Sequence, residues 1–165
     1  MDYTSIHHNS FSRAIKMSNL VNHDKNISIE LAPVSYNEFG VMCNLEVKTE
    51  LLCLDFKNVN EVNRYMSYEN ITYLEKQLTK INNLDQFEEE DELVFSIYPI
   101  DMFFAMDIFK SNDYLLFIKL RVPVGVYTNC QITGYDFGLD FSVRASAFKL
   151  FLENFLNDCQ EISTS

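Results

Sequence analysis

The feature that most constrains this chain is a strict two-residue alternation between Met102 and Val122. Met102, Phe104, Met106 and Ile108 occupy the even positions of one segment, and Tyr114, Leu116, Ile118, Leu120 and Val122 those of the next. A period of two belongs to a strand with one buried face. Between the segments, Ser111, Asn112 and Asp113 supply the short polar side chains that favour a tight turn. A hairpin closing there sets Ile108 opposite Leu116, Met106 opposite Ile118, Phe104 opposite Leu120 and Met102 opposite Val122, and a slip of one residue would destroy that match. The same register puts Phe109 opposite Leu115, Asp107 opposite Phe117 and Phe103 opposite Arg121 on the other face. That largely apolar strip is costly to leave open. It calls for cover by the Ser67 to Ile81 segment, by the N-terminal segment or by a partner protein.

The alternation continues in Tyr135, Phe137, Leu139, Phe141 and Val143, with Asp136, Gly138, Asp140 and Ser142 on the opposite side. Next come Phe148, Phe151, Leu152, Phe155 and Leu156, spaced by three and four as a helical stripe requires, with Glu153, Asn157 and Asp158 off it. Ser146 or Ser142 is the expected cap. Upstream, Ile27, Ile29 and Leu31 alternate until Pro33. Val41, Cys43, Leu45 and Val47 form a second strand and Leu52, Leu54 and Phe56 a third, turning near Lys48 to Glu50, in a meander. That turn would set Cys43 opposite Asp55. Asn58 to Tyr65 is polar, with a helical turn as one reading. Ser67 then caps a helix whose apolar face is Ile71, Leu74, Leu78 and Ile81. Leu93, Phe95 and Ile97 open the last set of strands, and Val122 to Thr133 is a long connection.

The order strands, helix, strands, helix predicts an α+β fold of antiparallel sheet meanders packed against two amphipathic helices. At 165 residues, a single domain burying roughly 70% of its unfolded surface is expected. Residues 1–26 are weakly patterned, and Ile15, Leu20 and Val21 there suit either a strand or a helical turn; residues 27–158 form the globular core. The abundant Phe and Tyr are read as core filling.

The formal charge of -11, from 24 acidic and 13 basic side chains, argues against nucleic acid and anionic membranes as partners, since both are bound through clustered Lys and Arg. A basic protein is the natural counterpart. Glu88, Glu89, Glu90, Asp91 and Glu92 are consecutive and must form a solvated loop. Asp136 and Asp140, about 13 Å apart along one strand face, are too far apart for a glycosidase pair and are expected to form surface salt bridges with Lys119 and Arg121.

Chemistry is sparse. Cys43, Cys53, Cys130 and Cys159 show no CxxC spacing and read as reduced, mostly buried thiols. His7 and His8 point apart in a strand, His23 is distant, and no metal site is expected. No nucleophile elbow or phosphate-binding glycine loop occurs, so neither an enzymatic activity nor a cofactor is expected. The N-terminus has no signal-peptide plan and no apolar run approaches a membrane span, which predicts a cytoplasmic protein.

The ISIELA and MCNLEV strands, the NITYLEKQLTKI helix, the YDFGLDFSV strand and the AFKLFLENFLND helix together resemble the small immunity proteins of bacterial polymorphic toxin systems, particularly the WapI-type group, over about Ile27 to Asn157. The resemblance implies binding without catalysis, in which the protein masks the active region of a cognate toxin. Under that reading Glu88 to Glu92, Asp107, Asp136 and Asp140 are the contact candidates. The alternatives are a cytosolic structural or adaptor protein and, third, an enzyme with a cryptic site.

Overall fold

The computed structural model describes residues 18–55, 64–84, 92–99, 103–123 and 136–164. Over these residues it is an α+β fold of two antiparallel sheets and two helices. The first sheet holds β1 (Ser18–Val21), β2 (Ile27–Asn37), β3 (Gly40–Thr49) and β4 (Cys53–Asp55) in sequence order. A two-residue strand, β5 (Tyr65–Met66), shares the β4 side of β3. Helix α1 (Tyr68–Asn82) follows, then the second sheet of β6 (Leu93–Ile97), β7 (Ala105–Lys110), β8 (Leu115–Pro123) and β9 (Asp136–Arg144), and finally α2 (Ala145–Ser163). The helical turn suggested in Asn58 to Tyr65 and the connection after Pro123 lie mostly outside the described residues.

Helix α1 starts where its sequence signals. Ser67 accepts a hydrogen bond from the Asn70 backbone while the Asn70 side chain accepts one from Ser67 N, a reciprocal cap that satisfies two orphan donors. Leu74 and Ile81 are buried, with Ile71 and Leu78 half-buried beside them. Helix α2 has no such cap. Its N-cap is Arg144, without a side-chain bond, and neither Ser142 nor Ser146 fills the role. The first helical N–H, of Ala145, instead donates to the Tyr114 carbonyl at 2.9 Å, which ties the helix to the β7–β8 turn.

Phe148, Phe151, Leu152, Phe155 and Leu156 enter the core as their spacing requires. Helix α2 packs on β1 and β2, and Phe148 meets Phe95 of the second sheet, so both sheets and both helices contribute to one continuous core. β1 resolves the choice left open for Leu20, which is buried in a strand, and Val21 faces outward. This also buries Asp158, expected off the stripe: Ser18 Oγ donates to it across the β1–α2 contact.

The meander is confirmed, with a corrected register. Asp55 faces Glu46, not Cys43, and Cys53 faces Lys48, because the turn runs from Thr49 to Leu52 and is closed by Thr49 N to the Leu52 carbonyl at 2.7 Å. Among the described cysteines, Cys43 and Cys159 are buried and Cys53 is exposed; all three are free thiols. Burial pushes the Cys43 thiol well up and that of Cys159 to about 12. A thiol held protonated is a poor nucleophile. Iodoacetamide at pH 8 is therefore expected to alkylate Cys53 in minutes and Cys43 and Cys159 only on unfolding, as peptide mass mapping would show; fast native labelling of Cys43 would contradict the packing.

Candidate protein-binding face

The second sheet buries one face and presents the other. Met106, Ile108, Leu116, Ile118, Leu120, Val122, Phe141 and Val143 point into the core as their alternation demands. The hairpin register differs from the expected one by two residues: Met106 faces Leu120, Ile108 faces Ile118 and Lys110 faces Leu116. The turn holds four residues, not three. Ser111 N and Asn112 N both donate to the Leu115 carbonyl, and the Asn112 side chain accepts from Tyr114 N and Leu115 N. Tyr114 is thereby expelled from the strand and is 81% exposed. The chain also leaves the strand before Ala105, so Phe103, expected opposite Arg121 on the outer face, is fully buried edge-to-face against Phe104.

Each outer-face position is consequently re-paired, in rows that cross all four strands. One row is Leu93, Phe109, Phe117 and Ser142, and the next is Ser96, Asp107, Lys119 and Asp140. A third places Ala105 beside Arg121 and Gly138. Leu93 belongs here because a bulge between Leu93 and Phe95 turns it outward, against the simple alternation of Leu93, Phe95 and Ile97. Phe109 and Phe117, half-buried, lie 6.4 Å apart. The Lys119 ammonium sits 5.1 Å from the first ring centre and 5.8 Å from the second. The expected apolar strip therefore exists, roofed in part by its own lysine.

Neither helix lies over it. Helix α1 runs along the free edge of β6, where Lys80 Nζ donates to the Val94 carbonyl and Asn70 Nδ2 to that of Tyr98, both at 3.2 Å. It caps the edge of the sheet, a standard protection of unpaired strand groups, and does not cover the outer face; most of the N-terminal segment, the other expected cover, lies outside the described residues. A groove of about 590 Å³ between α1 and β6, lined by Tyr73, Leu93 and Tyr98, extends the face sideways.

Asp107 is the best-anchored of the expected contact residues. Ser96 Oγ donates to its Oδ1 at 2.7 Å, the Tyr98 hydroxyl donates to the same oxygen, and Arg121 Nη2 reaches Oδ2 at 3.0 Å. Partial burial alone would raise its pKa, but the bonds from Tyr98 and Ser96 and the Arg121 charge outweigh it and hold the carboxyl below its ordinary value. Arg121 thus pairs with Asp107, not with Asp140 as expected. Asp140 is exposed and stands directly across from Lys119. Asp136 begins β9 opposite Pro123, and its side chain lies outside the described residues. Glu88, Glu89, Glu90 and Asp91 lie outside them too; Glu92 is exposed, its carbonyl accepting from Lys110 N at 2.8 Å.

A carboxylate with a depressed pKa stabilises the fold above its unfolded value, and loses that contribution as pH falls through the folded one. Asp107→Asn is therefore expected to lower the melting temperature at pH 7, by about 1–2 kcal/mol of weakened hydrogen bonds. The gap to wild type should close as pH drops below the usual carboxylate range. A gap that widened in acid would reverse the sign assigned to Asp107.

Ser96 and Tyr98 were not legible as parts of this site, since only the bulged register brings them to Asp107. The structure also assembles a row of carboxylates that sequence reasoning did not group: Glu30 faces Glu46, and Glu46 faces Asp55, across three strands of the first sheet. Lys48 pairs with Glu46 at 2.5 Å. Exposed aromatics depart from the core-filling expectation as well, with Tyr36, Phe39, Tyr68, Tyr73 and Tyr98 all at the surface. Among the described residues no group of three or more His, Cys, Asp or Glu side chains is placed to hold a metal ion, and no helix is long and apolar enough to cross a membrane. Compared with known proteins, the chain matches no family model, no curated protein and no solved structure.

Proposed function

We propose that this chain is a non-enzymatic binding protein, an immunity protein that acts in the bacterial cytoplasm by occupying a basic toxin domain. The observation that carries the reading is the outer face of β6 to β9, where Phe109 and Phe117 lie between Leu93 and the charged row of Asp107, Lys119 and Asp140. An apolar centre with a polar rim is the usual anatomy of a protein interface. The charge of -11 supplies long-range attraction for a basic partner, which raises the association rate more than the final affinity. The resemblance to toxin-immunity proteins points the same way.

The test is whether the C-terminal domain encoded by the gene immediately upstream copurifies with this chain and is detoxified by it. Neutralising Glu88 to Glu92 and Asp140 together is expected to slow association roughly tenfold at low salt and little at high salt. Association rates unchanged at every salt concentration would remove these carboxylates from the encounter. An upstream product that is unrelated and does not bind would favour the adaptor reading.

A further inference from the structure

Among the described residues two cations are buried, Lys110 and Arg64, each 7% exposed. Lys110 is neutralised by Asp113, whose Oδ1 lies 3.1 Å from its Nζ. Arg64 has no such counterpart among the described residues. Their ion pairs engage Lys48, Lys110, Arg121 and Lys149, and the Nε and Nη1 nitrogens of Arg64 are buried without a hydrogen-bond partner.

Strand pairing explains how a guanidinium comes to lie there. β3 and β5 pair Val41 with Met66 and Met42 with Tyr65, and one step further along Cys43 N donates to the Arg64 carbonyl at 2.8 Å. Directly opposed side chains of an antiparallel pair project to the same face. Val41, Cys43 and Met66 are all on the inner face and buried, so Arg64 is directed inward with them. The electrostatics agree: burial and Cys159 raise the Cys43 thiol, and the nearby Arg64 charge acts against them. Neither thiol can neutralise the arginine, because both are held protonated.

An unpaired charge in such a layer is strongly unfavourable, and arginine cannot shed its proton to escape, as a buried lysine can. Arginine is almost never buried unless it is paired, and a bound ion is one of the ways an orphaned buried donor is satisfied. A water would satisfy the N–H groups and leave the charge. An anion satisfies both.

We propose that Arg64 is the centre of a binding site for a small oxyanion, inorganic phosphate or a short carboxylate, held in the layer between β3, β5 and the helices. The planar guanidinium matches the oxygens of such an ion better than it matches a halide, and its burial excludes a macromolecular occupant. The site is separate from the outer face of β6 to β9 and does not rest on the binding proposed there.

The test melts the full chain, as wild type, Arg64→Met and Arg64→Lys, in chloride and with inorganic phosphate or acetate replacing chloride at constant ionic strength. At least one oxyanion is expected to raise the wild-type melting temperature saturably, by about 3 °C or more, and the one that does so identifies the ligand class. Arg64→Lys keeps the charge but loses the planar fork and should bind about tenfold more weakly. Arg64→Met should show no saturable rise, and in chloride alone it should melt at or above the wild type, because it removes an unanswered charge. A wild type indifferent to both oxyanions would overturn the site. So would an equal rise in wild type and Arg64→Met, which is the general effect of an excluded salt. An Arg64→Met protein that is unfolded, or melts well below the wild type in chloride, would overturn it as well, by showing the charge already satisfied within the chain.

Discussion

Replacing Phe148 with alanine is expected to destabilise the protein by about 3–5 kcal/mol, the range for removing a fully buried aromatic ring from a core that relaxes only in part. Phe148 is completely buried, one turn into α2, with ring centres of Phe95 at 6.2 Å and Phe151 at 6.1 Å. Phe95 belongs to the second sheet, whereas α2 packs on β1 and β2 of the first. The ring thus joins the two halves of the core, and the cavity left by its loss would face both. At roughly 2–4 °C per kcal/mol for a domain of this size, the melting point should fall by about 6–20 °C. Urea unfolding provides the cleanest reading, with the midpoint lowered and the slope unchanged. A cost below about 1 kcal/mol would mean that α2 is not the element bridging the sheets.

The second large effect is expected at Gly40, in the β2–β3 hairpin. Its φ of 140° is one that side-chain-bearing residues rarely adopt, so alanine would be strained in any surroundings. The surroundings add to the strain. A Cβ there would overlap the Met66 carbonyl oxygen and come within 2.9 Å of Ser67 Cα, both rigid backbone. Met66 is the end of β5, paired with Val41, and Ser67 is the cap of α1. Gly40→Ala must therefore displace the start of α1 as well as bend the hairpin, and about 2–5 kcal/mol is expected from strain and overpacking together. Far-ultraviolet circular dichroism should register a loss of helix at temperatures where the wild type is intact. A variant that melted with the wild type would contradict the close approach of the hairpin to the β5–α1 junction.

These two residues mark the boundary of what the sequence reveals. The inward stripe of α2 is legible because three-and-four spacing fixes a helix face, and Ser67 with Asn70 fixes where α1 starts. Two-residue alternation fixes which face of a strand is buried but not which residues sit opposite each other. A slip of two keeps the apolar rows on the same face, so Ile108 meets Ile118 as readily as Leu116, and Lys110 takes the place opposite Leu116. The deciding interaction is in the turn, where the Asn112 side chain holds Tyr114 and Leu115 and lengthens the loop by one residue. Anything that depends on register was therefore hidden: the Phe109–Phe117 pair, the network around Asp107, and the Glu30, Glu46 and Asp55 row. The bulge at Leu93 was hidden for the same reason. Tertiary effects account for the rest, with the Tyr114 carbonyl replacing a serine cap on α2 and β1 burying Asp158.

We propose that the outer face of β6 to β9 binds a basic protein. The test is the affinity of the full chain for the C-terminal domain of the protein encoded immediately upstream, measured by calorimetry for wild type and for Phe117→Ser. Phe117 is half-buried on the outer face and absent from the core, so the variant should retain most of its stability. The variant is expected to bind at least a hundredfold more weakly, about 2.7 kcal/mol, as for an anchor residue at an interface centre. Wild-type affinity in a folded Phe117→Ser protein would contradict it and move the interface elsewhere.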